Sequence, residues 1–167
     1  IKNRPITLNG ILEGIASEEF VIALVDIQNR KVVYDFIING LEINKESGIS
    51  YDIKLVAGDQ EYVNMTVQEI LNNIPIEFSL RQNYPNPFNP ITKINYTLPQ
   101  YAKVNVSIYN VLGQKVVTLL DKEQEYGYHT LTWNGTNRFG KQMASGVYFA
   151  RMSAGKFMQT KKMLLLK

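Results

Sequence analysis

In the second half of the chain, apolar and polar residues take turns. Thr92–Leu98 puts Ile94, Tyr96 and Leu98 on one face of a predicted strand. Lys103–Asn110 does the same with Val104, Val106 and Ile108, while Lys103, Asn105 and Ser107 face outward. Phe78–Arg81, Lys115–Leu120, Tyr128–Trp133, Gly146–Ser153 and Phe157–Leu166 complete a set of seven predicted strands. Turn residues separate them at intervals of roughly 8–12 residues, the pattern of a β-sandwich. Gly113 can supply a positive φ in the turn Val111-Leu112-Gly113-Gln114. Asn134-Gly135 opens the long connection up to Ser145, and Trp133, the only tryptophan, reads as a core anchor.

The first half is less regular. Ile6–Leu12 reads as a strand with a bulge or bend at Gly10. Phe20–Asp26 is a continuous apolar run, as expected of a strand covered on both faces. Lys31–Ile38 returns across the turn at Gln28-Asn29-Arg30, so the two form a hairpin. Asn39-Gly40 is a turn, and Glu42–Ser50 is polar and loop-like. Ser50–Val56 alternates Tyr51, Ile53 and Leu55 on one face; Ala57-Gly58-Asp59-Gln60 turns the chain into a last strand over Glu61–Val67. About five strands are fewer than the roughly seven of a full sandwich. The module over 1–67 is therefore either small or has its first strands upstream of Ile1, and in the second case it carries an exposed edge open to self-association. Residues 68–82 read as the linker, with a single helical turn that Asn72-Asn73 and Pro75 stop.

Gln82-Asn83-Tyr84-Pro85-Asn86-Pro87-Phe88-Asn89-Pro90 breaks the alternation. Its prolines fix φ and push Tyr84, Asn86 and Asn89 out of the α region, and the lost N–H donors keep it out of a sheet interior. It reads as a stiff lead-in to the next strand, with Tyr84 and Phe88 as apolar pegs. With Ile91–Pro99, this stretch resembles the opening of the type A C-terminal sorting domain of proteins exported by the type IX secretion system. That domain is an immunoglobulin-like module related to one in the flagellar hook-capping protein. The resemblance continues through Ile108–Gln114, Trp133-Asn134-Gly135, Ser145-Gly146-Val147-Tyr148-Phe149 and Lys161–Lys167, in order and over roughly the second half of the chain. It implies an all-β fold of two tandem immunoglobulin-like β-sandwich modules, with the sorting domain over 83–167.

Under that resemblance the domain is an export address and no enzyme. Cargo passes from the periplasm through an outer-membrane translocon to a secreted or cell-surface location. A sortase-like peptidase commonly removes the domain, and surface lipopolysaccharide receives the cargo in some cases. The residues expected to be read are those of the last hairpin: Gly146, Val147, Tyr148, Phe149, Lys161, Lys162, Met163, Leu164, Leu165 and Lys167. The alternative is a structural or adhesive sandwich module retained in an extracellular assembly. The chain opens Ile1-Lys2-Asn3-Arg4, with neither an initiator Met nor a signal peptide, and reads as the C-terminal piece of a longer precursor.

Charge and side-chain chemistry change this picture little. Residues 1–75 carry 6 Lys/Arg against 11 Asp/Glu, net −5, and residues 76–167 carry 12 against 4, net +8. The lysines are spread over many strands, which suits edge protection first and an anionic partner second. Without cysteine there is no disulfide or thiolate zinc site, and a single histidine, His129, excludes metal sites with two or more His ligands. Glu18, Glu19, Asp26 and Asp35 read as turn caps and solvated charges. Asn134–Gly140 has the rhythm of a calcium loop but no carboxylate in it, and Arg138 in its middle. No Gly-rich phosphate loop is present, and Tyr148–Arg151 and Lys156-Phe157, basic residues among aromatics, are explained by strand alternation without nucleic acid. No apolar run approaches the ~20 residues of a membrane span. The expectation is therefore a non-catalytic module without cofactor or metal.

Overall fold

A computed structural model describes residues 6–8, 20–34, 41–43 and 52–167, with side chains for 21–34 and 52–167. The expectations for Gly10, Glu18, Glu19, Asp35, Asn39-Gly40 and Tyr51 lie outside the described residues. The chain divides into two compact units, Ile1–Asn73 and Ile74–Lys167. Among the described residues the architecture is all-β, built of antiparallel sheets with one short helix.

In the first unit, β1 (Ile6–Leu8) pairs antiparallel with β4 (Leu41–Ile43), so the start of the polar stretch expected to loop is a strand. A separate sheet has the order β3-β2-β5, from β2 (Phe20–Asp26), β3 (Lys31–Tyr34) and β5 (Ile53–Asp59). The central strand is buried on both faces, as its unbroken apolar run requires. Ile22 and Leu24 pack with Val33, Ile53 and Ala57 on one face. Leu55 shares that face but lies on an outer strand and is 58 % exposed, so the predicted inward row is incomplete.

The strand expected over Glu61–Val67 is a helix, α1 (Gln60–Asn73). Asp59 caps it, its Oδ1 accepting from the Tyr62 N–H at 2.8 Å, and Glu61 in the first turn suits the helix dipole. The spacing Val63, Met65, Val67 satisfies a strand, but Val63 and Val67 also stand one helical turn apart. They are the residues the helix buries, while Met65 points to solvent. The helix lies over the sheet face opposite Ile22 and Leu24. There Tyr34 donates to Asn64, and Gly58 leaves no room for a Cβ beside the Tyr62 ring.

The second unit is a two-sheet sandwich. One sheet has the order β10-β7-β6, from β6 (Ser79–Leu80), β7 (Thr92–Leu98) and β10 (Gly127–Trp133). The other has the order β12-β11-β8-β9, from β8 (Ala102–Asn110), β9 (Lys115–Gln124), β11 (Gly146–Ala154) and β12 (Phe157–Leu165). Ile94, Tyr96 and Leu98 from the first sheet meet Val104, Val106, Ile108, Tyr148, Ala150, Met152, Met163 and Leu165 from the second in one core. Alternate residues of each strand turn outward, which is why the period-2 pattern is legible. Between β8 and β9, Gly113 adopts φ 74° while the Asn110 side-chain oxygen accepts from the N–H groups of Leu112 and Gln114.

Candidate functional site

Residues 83–90 form a strap that crosses from one sheet to the other. Its start is held on β7, where Tyr84 and Lys93 exchange both backbone hydrogen bonds at 2.9 Å. Asn83 is buried and ties the loop internally, its Nδ2 donating to the Pro85 carbonyl and to Thr92 Oγ1, both at 2.9 Å. Thr92 Oγ1 in turn donates to the Pro85 carbonyl at 2.9 Å. A side-chain amide and a hydroxyl thus satisfy backbone that the prolines cannot pair. The peptide bonds before Pro85 and Pro87 are cis.

The end of the strap is held on β12. Phe88 N–H donates to the Leu164 carbonyl at 3.0 Å, and Leu166 N–H donates to the Phe88 carbonyl at 2.9 Å, a parallel bridge. Asn86 Oδ1 accepts from Leu164 N–H at 2.9 Å, and Gln82 Nε2 donates to the Lys162 carbonyl at 2.7 Å. The outer edge of β12 from Lys162 to Leu166 is therefore occupied by the chain's own strap. Those four hydrogen bonds leave this stretch of the terminal strand without the free backbone groups that an uncovered edge would offer a receptor.

Phe88 is 2 % exposed and its ring sits 5.4 Å from that of Trp133, which lies 5.2 Å from that of Tyr148. The polar tips of the last two are satisfied: Trp133 Nε1 donates to the Thr136 carbonyl at 2.9 Å and Tyr148 OH to the Ala144 carbonyl at 2.8 Å. Tyr84 is 77 % exposed, so only one of the two expected apolar pegs enters the core. Gly135, at φ 72°, brings its backbone against the strap, and a Cβ there would stand 3.2 Å from the Pro90 carbonyl oxygen. Lys167 N–H donates to Ser145 Oγ at 3.0 Å, closing the end of β12 onto the entry to β11. Four stretches far apart in sequence, 83–90, 133–135, 145–149 and 161–167, thus meet around one aromatic cluster.

The residues expected to be read divide by face. Tyr148, Met163 and Leu165 are buried, and Gly146 adopts φ 155° at the start of β11. Val147, Phe149, Lys161 and Leu164 are half-buried, while Lys162 and Lys167 are exposed. A receptor can touch the second group; the first shapes the surface from beneath. The exposed row also extends onto Tyr109 of β8, opposite Phe149, and Lys115 of β9, opposite Tyr109, which sequence reasoning missed. Only the cross-strand register brings them together, and no local motif carries it.

The remaining candidates make local contacts within their own elements and turns. His129 stacks on Tyr96 at 5.0 Å, with Nε2 2.9 Å from the Glu125 carbonyl. In the loop after β10, Asn134 Oδ1 accepts from Thr136 Oγ1 at 2.6 Å, and Asn137 Oδ1 accepts from the N–H groups of Phe139 and Lys141. Arg138 lays its guanidinium 4.5 Å over the Phe139 ring. Asp26 accepts from the backbone N–H and from the side-chain amide of Asn29 in the first hairpin turn. Among the described residues no cluster of three His, Cys, Asp or Glu is placed to hold a metal ion, and no helix is long and apolar enough to cross a membrane. Burial raises the pKa of Tyr96 to about 12 and raises that of Tyr148 as well.

The fold and this surface define an immunoglobulin-like module. The family profile of the FlgD Ig-like domain matches residues 90–156. No curated protein sequence matches the chain. Two solved structures from Porphyromonas gingivalis are similar to it. PorZ, an essential bacterial surface component of the type-IX secretion system, shares 21 % identity over 53 % of the chain with a TM-score of 0.39. Dimeric latent PorU shares 17 % identity over 90 % of the chain with a TM-score of 0.46. The chain spans 12 % of the length of each.

Proposed function

We propose that residues 76–167 are an export address of the type IX secretion system, read as a folded surface at the last hairpin. The observation that carries this reading is the convergence of the sorting-domain motifs at one place. The Asn83–Pro90 strap, Trp133-Asn134-Gly135, Ser145–Phe149 and the terminal lysine-rich strand are built into a single clasp. The immunoglobulin-like match over residues 90–156 supports the same assignment. An address needs a reproducible surface, and a clasp that fixes the terminal strand at both edges supplies one. Cargo would pass through the periplasm to the medium or cell surface, with a sortase-like peptidase removing the domain. Helix α1 takes up Gln60–Asn73, and the segment around Ile76, which is 83 % exposed, is the backbone offered to the peptidase under this reading.

The experiment fuses the full chain behind a reporter in a bacterium that has this secretion system. Deleting Phe157–Lys167 should leave the reporter inside the cell, but it also strips Met163 and Leu165 from the core. The informative variant is therefore Lys162→Glu with Phe149→Ser, which alters only outward side chains. Reporter export unchanged by both changes would end the proposal.

A further inference from the structure

We propose that the outer face of the β9–β8–β11–β12 sheet docks onto an acidic protein surface. Cross-strand register sets Lys115, Tyr109, Phe149 and Lys162 in one row across all four strands. They turn outward because their chain neighbours Ile108, Tyr148 and Met163 turn into the core. On one side of the row, Val147 stands opposite Leu164. On the other, Arg151 places its guanidinium 4.6 Å over the Tyr109 ring. An aromatic and aliphatic centre with arginine beside it and lysine around it is the composition of a protein-binding patch.

The sign of the charge selects the partner. Only four carboxylates occur in residues 76–167: Glu77, Asp121, Glu123 and Glu125. Asp121 and Glu123 do lie on β9, but opposite Asn105 and Lys103, at the other end of the sheet. That is four residues along β8 from Tyr109, ~13 Å away. The row and the adjacent Arg151 thus present three cations and no carboxylate, which steers and orients an acidic partner. A glycan or nucleic acid would answer the cations and leave the Val147–Leu164 pair without apolar contact; a protein surface answers both. The proposal rests on the export reading for its partner, a component of the secretion machinery.

The test uses the full chain fused to the reporter, with K115E/R151E/K162E, the corresponding triple Gln variant, and K122E/K141E, exposed lysines elsewhere on the same unit, as a control reversal. Exported reporter should fall at least tenfold for the triple Glu variant, less for triple Gln, and remain unchanged for the control. Trp133 fluorescence melts would verify that each variant is folded. If the unaltered chain fails to export, the export reading is lost. If it exports and the folded triple Glu variant exports equally, the docking face is refuted. A photoreactive residue at Thr160, exposed on β12 opposite Arg151, reads the face independently of export. A polypeptide adduct whose yield collapses with K115E/R151E/K162E supports the proposal. A polysaccharide, a nucleic acid or a second copy of this chain as the adduct overturns it.

Discussion

Replacing Phe88 by alanine tests whether the strap is held by its side chain or only by its backbone. Phe88 is 2 % exposed, packs 5.4 Å from the Trp133 ring, and is the single strap residue whose side chain reaches the core cluster. Truncating a fully buried phenylalanine costs about 3–5 kcal/mol. A domain of this size has a total stability of roughly 5–15 kcal/mol, so a large share would be lost. With a urea slope of about 1–3 kcal/mol/M, the midpoint should drop by about 2 M. The two units need not unfold together, so a whole-chain signal would blur the result. Trp133, the only tryptophan, belongs to the second unit and touches Phe88, so its fluorescence isolates the transition of interest. Tyr84→Ala is the control: at 77 % exposure it should move stability by no more than about 0.5 kcal/mol. A Phe88→Ala midpoint within about 0.5 M of the parent, or an equal loss at Tyr84, would refute the idea that the aromatic anchor holds the strap.

Three further outcomes follow from particular residues. Gly135→Ala should cost more than Gly140→Ala in the same melt. Both have φ near 75°, but a Cβ at 135 meets the Pro90 carbonyl oxygen at 3.2 Å while one at 140 meets nothing within 4 Å. Stability of the second unit should fall as pH rises above 10. The unfolded Tyr96 phenol ionises near 10 while the folded one is held neutral up to about 12, so the contribution is complete below 10 and lost between the two values. Tyr96→Phe should flatten that slope, leaving the smaller part from Tyr148, and an unchanged slope would count against it. Asp59→Ala should remove the N-cap of α1 and cost about 1 kcal/mol, seen by circular dichroism as earlier loss of helix with the Trp133 transition unmoved.

The sandwich was legible because alternation is local. The strand over Thr92–Leu98 has the predicted ends, and Val104, Val106 and Ile108 turn inward as the pattern demands. Helix α1 was missed because Val63, Met65 and Val67 fit a strand over so short a run. The spacing of Val63 and Val67, and Asp59 in the capping position, were the signals that would have found it. Tyr84 was misjudged as a peg because residue type does not say which of two aromatics on a proline-fixed strap faces the core.

Pairing partners are a different kind of information. Phe88 meets Leu164 and Leu166, 76 and 78 positions later, and periodicity within either segment is silent about that contact. The same contact decides what the last strand can do. Left alone, β12 would present a full row of unpaired N–H and C=O groups, a template for any other strand. The strap and its flanking amide side chains take up the groups from the Lys162 carbonyl to the Leu166 N–H, so recognition of that half by strand addition would first have to displace Phe88 from the core. Side chains on the outer face need no such displacement. Phe149 and Lys162 stay accessible with the clasp shut, whereas Tyr148, Met163 and Leu165 become accessible only if it opens. A receptor that reads side chains of this stretch of the folded hairpin therefore reads those on its outer face, and one that needs the buried residues must unfold it first.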